Sequence, residues 1–116
     1  MEINTTNTKD EQSTVTTTKN LKNFFGMTIC SYTQEITWRY DGTYITTPPQ
    51  CVMTGQTHMW GWVYNGVTSS DEWGGQGYTY YRAYSQASFT LNIYGLIQDS
   101  WFPVIDKTVR GTGDVD

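Results

Sequence analysis

The tightest constraint on this chain is the alternation over residues 30–40. Cys30, Tyr32, Gln34, Ile36, Trp38 and Tyr40 fall on one side of it, and Ser31, Thr33, Glu35, Thr37 and Arg39 on the other. Side chains repeat every two residues in a strand, whereas a helix would mix the two sets on every face. The contrast marks a strand packed on one side and wet on the other. Asp41-Gly42 follows at once, a pair that tolerates positive φ and so closes hairpins. A two-residue turn there sets Tyr40 opposite Thr43, Trp38 opposite Ile45 and Ile36 opposite Thr47, which places Ile45 on the Trp38 face. Pro48-Pro49 then interrupts the ladder, since neither can donate to it.

The rest of the chain reads in the same way. Residues 56–64 are apolar on both sides, with His58, Trp60, Trp62 and Tyr64 against Met59, Gly61 and Val63, as in a strand covered on both faces. Asn65-Gly66 reads as a second turn, and residues 71–77 as a Gly-rich loop around Trp73. Residues 78–85 form a strand with Tyr78, Tyr80, Arg82 and Tyr84 on one face. Ala87, Phe89, Leu91 and Ile93 alternate with Ser88, Thr90 and Asn92 in another. Residues 101–110 form a last strand whose Pro103 suits an edge. Six or seven strands with frequent turns and no helical period predict an all-β, antiparallel β-sandwich, with a small β-barrel as the alternative.

Residues 1–22 divide from this domain by composition. They are rich in Thr and nearly free of large apolar groups, and read as a flexible, disordered N-terminal arm, with an edge strand as the alternative, that a neighbour could recruit as a strand. The domain proper spans residues 23–113. Residues 1–5 lack the basic and apolar segments of a signal peptide. The Thr, Gly and aromatic richness, with few Lys, fits the mature form of a secreted domain better than a cytosolic protein. Asn4-Thr5-Thr6 matches a glycosylation sequon. Extending the hairpin register past the prolines sets Cys51 opposite Tyr32. A small slip would then bring it to Cys30, so a Cys30–Cys51 disulfide is expected, contributing roughly 3 kcal/mol through loop closure.

Two strings carry a resemblance. One is Trp38-x-Tyr40-Asp41-Gly42-x-x-Ile45 with the later Trp60-x-Trp62-x-Tyr64-x-Gly66. The other is Phe89-x-Leu91 through Gly95, then Gln98, Pro103 and Val109-x-Gly111-x-Gly113. Together, over residues 28–113, they resemble small, uncharacterised secreted all-β proteins of Gram-positive bacteria. The resemblance implies secretion and a β fold, and no activity.

Function classes narrow next. Seven Lys and Arg against eleven Asp and Glu give a formal net charge of −4, which excludes a phosphate-neutralising nucleic-acid surface. No apolar run reaches the roughly eighteen residues of a membrane-spanning helix. An enzyme is not expected. His58 is the single histidine and has no acidic sequence neighbour, and no nucleophile motif is present. Nor is a metal or cofactor expected: there is no C-x-x-C, and Asp71-Glu72 lacks the spacing of a Ca²⁺ loop. The surplus lies in five Trp, nine Tyr and four Phe, more than a sandwich of this size can bury. Flat rings beside polar side chains suit carbohydrate, and Trp73, Tyr78, Tyr80, Trp60 and Trp62 are the ligand-binding candidates. Exposed aromatics equally suit a protein partner, a self-assembling homo-oligomer or a secreted toxin or inhibitor.

Overall fold

The computed structural model describes residues 10–116. The Asn4 sequon and residues 1–9 of the arm lie outside the described residues. The elements are β1 (Glu11–Lys22), β2 (Thr28–Tyr40), β3 (Gln50–Thr57), β4 (Trp62–Gly74), β5 (Tyr80–Ile93), β6 (Leu96–Trp101) and β7 (Val104–Arg110). All pairings are antiparallel, and they build two sheets packed as a β-sandwich. The first sheet is the meander β1-β2-β3. In the second, β5 is central, with β4 on one side and β6 and β7 end to end on the other. Phe89 faces Trp101 and Gln86 faces Val104, so β6 and β7 keep one register across their break. Pro103, which cannot donate, makes that break, and its carbonyl still accepts the Ala87 N–H at 3.1 Å. No helix among the described residues is long and apolar enough to cross a membrane.

The alternation over residues 30–40 decides the inner face of β2. Cys30, Tyr32, Gln34, Ile36 and Trp38 are all buried. Tyr81, Ala83, Ser85, Ala87 and Phe89 of β5 meet them from the other sheet. The interior falls into two apolar clusters. One gathers Ile36, Trp38, Ile45, Tyr81, Ala83 and Val109, the other Cys30, Tyr32, Ala87, Phe89 and Ile105. A polar seam links the two sheets. The Tyr32 hydroxyl donates to Ser85 Oγ at 2.8 Å, and Gln34 Nε2 reaches the same oxygen at 3.3 Å. These bonds between the sheets favour the observed register, although buried Gln34 Oε1 has no partner among the described residues.

Several expectations need correction. From Glu11 onward the arm is β1, the edge-strand alternative, in unbroken register with β2 from Glu11↔Tyr40 to Leu21↔Cys30. Parity explains this. Val15 and Leu21 sit opposite Ile36 and Cys30 and pack against the two clusters, while Thr14 and Thr18 hydrogen-bond Thr37 and Thr33 on the wet face, each at 3.0 Å. Asp41-Gly42 does not close a two-residue hairpin either. The Asp41 carboxylate accepts the N–H groups of Thr43 and Tyr44 at 2.9 and 2.8 Å in a four-residue turn that bridges Tyr40 to Ile45, and residues 41–49 as a whole make a wide loop before β3. Those bonds hold the Asp41 carboxyl below the usual carboxylate range. The segment 56–64 is two strand ends joined by a turn. Asn65-Gly66 is a bulge inside β4, with Gly66 at φ 102° where a bulge needs the left-handed region.

The wide loop also removes the disulfide. It moves β3 along β2 by four residues, so Cys51 faces Ile36 rather than Tyr32. Cys30 lies six residues away along β2, on the order of 20 Å, beyond any disulfide. Both thiols are free. Burial pushes the Cys30 thiol up to about 11 and also raises Cys51. Alkylation should therefore fail on the native protein and add two adducts in denaturant without reductant, read by intact mass. A mass unchanged until reductant is added would restore the disulfide.

Candidate functional site

In β5 the inward residues are odd-numbered, so Tyr80, Arg82 and Tyr84 point away from the core. Their cross-strand neighbours make ordered rows on the outer face of the second sheet. Trp73, Arg82 and Thr108 form one row; Asp71, Tyr84 and Asp106 form the next. Arg82 is the centre of the arrangement. Its Nε and Nη2 donate to the two Asp106 carboxylate oxygens at 2.9 and 2.7 Å. Its guanidinium carbon lies 4.5 Å from the centre of the Trp73 ring. Asp106 is held below the usual carboxylate range, chiefly by the hydrogen bonds from Arg82. The bidentate pair fixes the guanidinium plane, and the plane supports the indole. Strand pairing puts the Trp73 ring on the outer face, 41% exposed, and the guanidinium stacked on it fixes its orientation there.

The adjoining loop is built to hold its shape. Residues 75–78 form a turn in which Tyr78 N–H donates to the Gly75 carbonyl at 3.0 Å, and Gly77 at φ 84° supplies the positive φ of a type II third position. The turn docks on the 41–49 loop, with Ile45 N–H on the Tyr78 carbonyl and Gly77 N–H on the Ile45 carbonyl, both at 2.8 Å. Tyr78, 56% exposed, sets its ring edge-on to Tyr80 at 6.0 Å between centroids. Trp73, Tyr78 and Tyr80 therefore share one end of the sandwich. On the buried side of the same strands, the Tyr81 hydroxyl donates to Glu72 Oε1 at 2.6 Å. Burial, reinforced by that carboxylate, drives the phenol pKa strongly upward.

No family model, curated protein or solved structure matches this chain. The geometry alone therefore carries the functional reading.

The five aromatic candidates do not form one site. Trp62 is half-buried against the Tyr32–Phe89 cluster, eleven residues from Trp73 along β4, or roughly 35 Å. Trp60 is exposed in the turn between β3 and β4, at the far end. Arg82 stands among the tyrosines in the sequence, but its partner Asp106 is brought to it only by the β5–β7 pairing. His58 Nε2 stands 3.4 Å from Ser31 Oγ, which is already bonded to Asn20 Oδ1 at 2.7 Å. Among the described residues, no group of three His, Cys, Asp or Glu is placed to hold a metal ion. A cleft of about 230 Å³ between Gln12, Trp38, Arg39 and Pro48 is smaller than ordinary small-molecule sites of roughly 300–1,000 Å³. Its one charged group, Arg39, is paired with Asp10.

Proposed function

We propose that the protein is a secreted, non-catalytic binding module that recognises carbohydrate on the outer face of its second sheet. One observation carries this reading: the exposed Trp73 ring is held in one orientation by a guanidinium that is itself locked by Asp106. An indole that merely covered a sheet would need no such support. An exposed ring of this kind packs against the C–H face of a pyranose, while Asp71 and the Tyr80 and Tyr84 hydroxyls on the same face meet sugar hydroxyls. Secretion is supported by composition and by the resemblance to small secreted β proteins of Gram-positive bacteria.

The test is a fluorescence titration against a panel of soluble oligosaccharides. At least one should shift the tryptophan emission of the wild type, and Trp73→Ala should weaken that ligand roughly tenfold, the equivalent of about 1.4 kcal/mol. Silence across the panel, or an unchanged affinity in Trp73→Ala, would refute the reading.

A second reading has its own observation. The outer edge of β1 runs from Glu11 to Lys22 with no proline to block another strand. It supports a self-associating or partner-binding subunit. Light scattering after size exclusion at several concentrations decides it, and a strict monomer throughout argues against self-association.

A further inference from the structure

The end of the sandwich opposite Trp73 is apolar in a way that the fold does not require. Three turns meet there. Asn23 N–H on the Met27 carbonyl, 2.9 Å, closes the turn between β1 and β2. The turn between β3 and β4 lies alongside, because His58 N–H donates to the Ile29 carbonyl at 2.8 Å. The turn between β5 and β6 comes next, because Asn92 N–H donates to the Gly61 carbonyl at 2.7 Å, just before Tyr94-Gly95. These turns carry Phe24, Phe25 and Met27; Trp60; and Tyr94, Leu96 and Ile97, all exposed. Phe24 and Tyr94 are each 96% exposed and Trp60 is 80% exposed.

Neither folding nor turn chemistry accounts for these side chains. None belongs to the two interior clusters. Tyr94 sits at φ 52°, in the left-handed region, where a hairpin turn favours Asn, Asp or Gly. A bulky aromatic is thus retained at a strained position while contributing no packing. Hairpin tips of soluble domains are ordinarily polar, and apolar clusters of this extent mark interaction sites.

Charge indicates the partner. Lys19 and Lys22 lie on β1 beside the Phe24-Phe25 turn, with Asp99 the acid nearest this end among the described residues. Asp10, Asp41, Asp114 and Asp116 lie at the opposite end, where Arg39 and Arg110 are already paired with Asp10 and Asp116. The molecule is therefore polarised, with Lys19 and Lys22 beside the Phe24-Phe25 turn, Asp99 on β6 below the Tyr94-Gly95 turn, and Asp10, Asp41, Asp114 and Asp116 at the far end. The tips are turn ends standing side by side, with Phe24 and Phe25 edge to face at 5.6 Å on one and Trp60 and Tyr94 on the other two. Exposed aromatic side chains on turn tips beside lysines suit a fluid lipid boundary, which needs no complementary partner surface. Trp, Tyr and Phe at the tips, with two lysines beside the Phe24-Phe25 turn, match the headgroup zone of an anionic membrane.

We propose that the three turns form a docking surface that seats the protein peripherally on an anionic lipid bilayer. The tips enter the headgroup and acyl boundary, and Lys19 and Lys22 face the phosphates. The Trp73 face remains in water, so the surface is independent of carbohydrate recognition.

The test is sedimentation with vesicles of phosphatidylcholine alone or mixed with phosphatidylglycerol. The wild type should bind the mixed vesicles more tightly, lose binding as salt rises, and shift its emission to the blue. Phe24→Ser with Phe25→Ser should weaken binding at least roughly tenfold, and Lys22→Gln about fivefold. Trp60→Phe should abolish most of the blue shift. Trp73→Ala should bind vesicles normally. Because the tips lie outside the core, the double variant should melt with the wild type. The proposal is overturned by a wild type that stays in the supernatant, by a folded double variant that sediments equally, or by concentration-dependent dimers that the double variant abolishes. The last result would assign the tips to a second copy of the chain.

Discussion

Gly111→Ala should destabilise the fold by about 3 kcal/mol, at the upper end of what overpacking a close contact costs. The reason is crowding rather than backbone strain. A methyl group at Gly111 would overlap the Thr43 carbonyl and crowd the Tyr44 backbone. Neither side can retreat. Gly111 N–H is bonded to the Thr79 carbonyl at 2.8 Å, and its own carbonyl accepts Gly42 N–H at 2.9 Å. Gly111 thus joins the 41–49 loop, the loop before β5 and the end of β7 at one point. Gly66→Ala is the matching control. Its φ of 102° is left-handed, but nothing lies within 4 Å of the added carbon, so only the backbone preference of roughly 1–2 kcal/mol applies. Urea unfolding of both variants measures the difference. Equal losses would mean that the three-loop junction yields, and the contact is not the constraint argued here.

The same junction explains what the sequence conceals. The inner face of β2 is legible residue by residue, because period-two alternation depends only on one buried side. Tyr80, Arg82 and Tyr84 are legible as an outward set for the same reason. Loop length is not legible. Asp41-Gly42 is the same dipeptide in a tight hairpin and in the wide loop observed. What separates the two is long-range: Ile45 turns inward beside Trp38 and is bonded through its backbone to Tyr78 and Gly77. The resulting shift of four residues keeps every side chain of β3 on its expected face while moving Cys51 away from Cys30. Face assignments therefore survive where the pairing does not. Asn65-Gly66 shows the same ambiguity, since a bulge and a turn both call for positive φ. The Trp73–Arg82–Asp106 unit was half visible. Trp73 and Arg82 stand out locally, but Asp106 joins them only through the neighbour of β5. The lipid-docking end has a sequence signal, Phe24-Phe25 before a glycine. It reads as the start of the core until the structure shows both rings in solvent.

Alkaline pH should unfold the protein well before its surface charge alone would do so. Burial raises the proton affinity of the Cys30 and Cys51 thiols and of the Tyr32, Tyr64 and Tyr81 phenols, with Glu72 adding to the effect at Tyr81. In the unfolded chain these groups release protons from about pH 8.5 for thiols and about pH 10 for phenols. In the fold they hold them to higher pH. Above about pH 9 the unfolded state therefore binds fewer protons, and stability falls as pH rises. Below pH 8 all five are protonated in both states and contribute no pH dependence. Cys30 alone, going from 9.0 to about 11 on folding, should remove about 2 kcal/mol by pH 11. The buried phenols of Tyr32 and Tyr81 add to the slope above pH 10. Unfolding free energies from urea titrations at pH 7, 9, 10 and 11 should trace this decline. Phenolate absorbance should appear together with unfolding rather than ahead of it for the buried tyrosines. Cys30→Ala should start lower, from the lost packing, but fall less between pH 9 and 11. A parallel decline in wild type and Cys30→Ala would remove the thiol from the explanation. A native protein that ionises Tyr32 and Tyr81 without unfolding would show that the seam between the sheets is open to water.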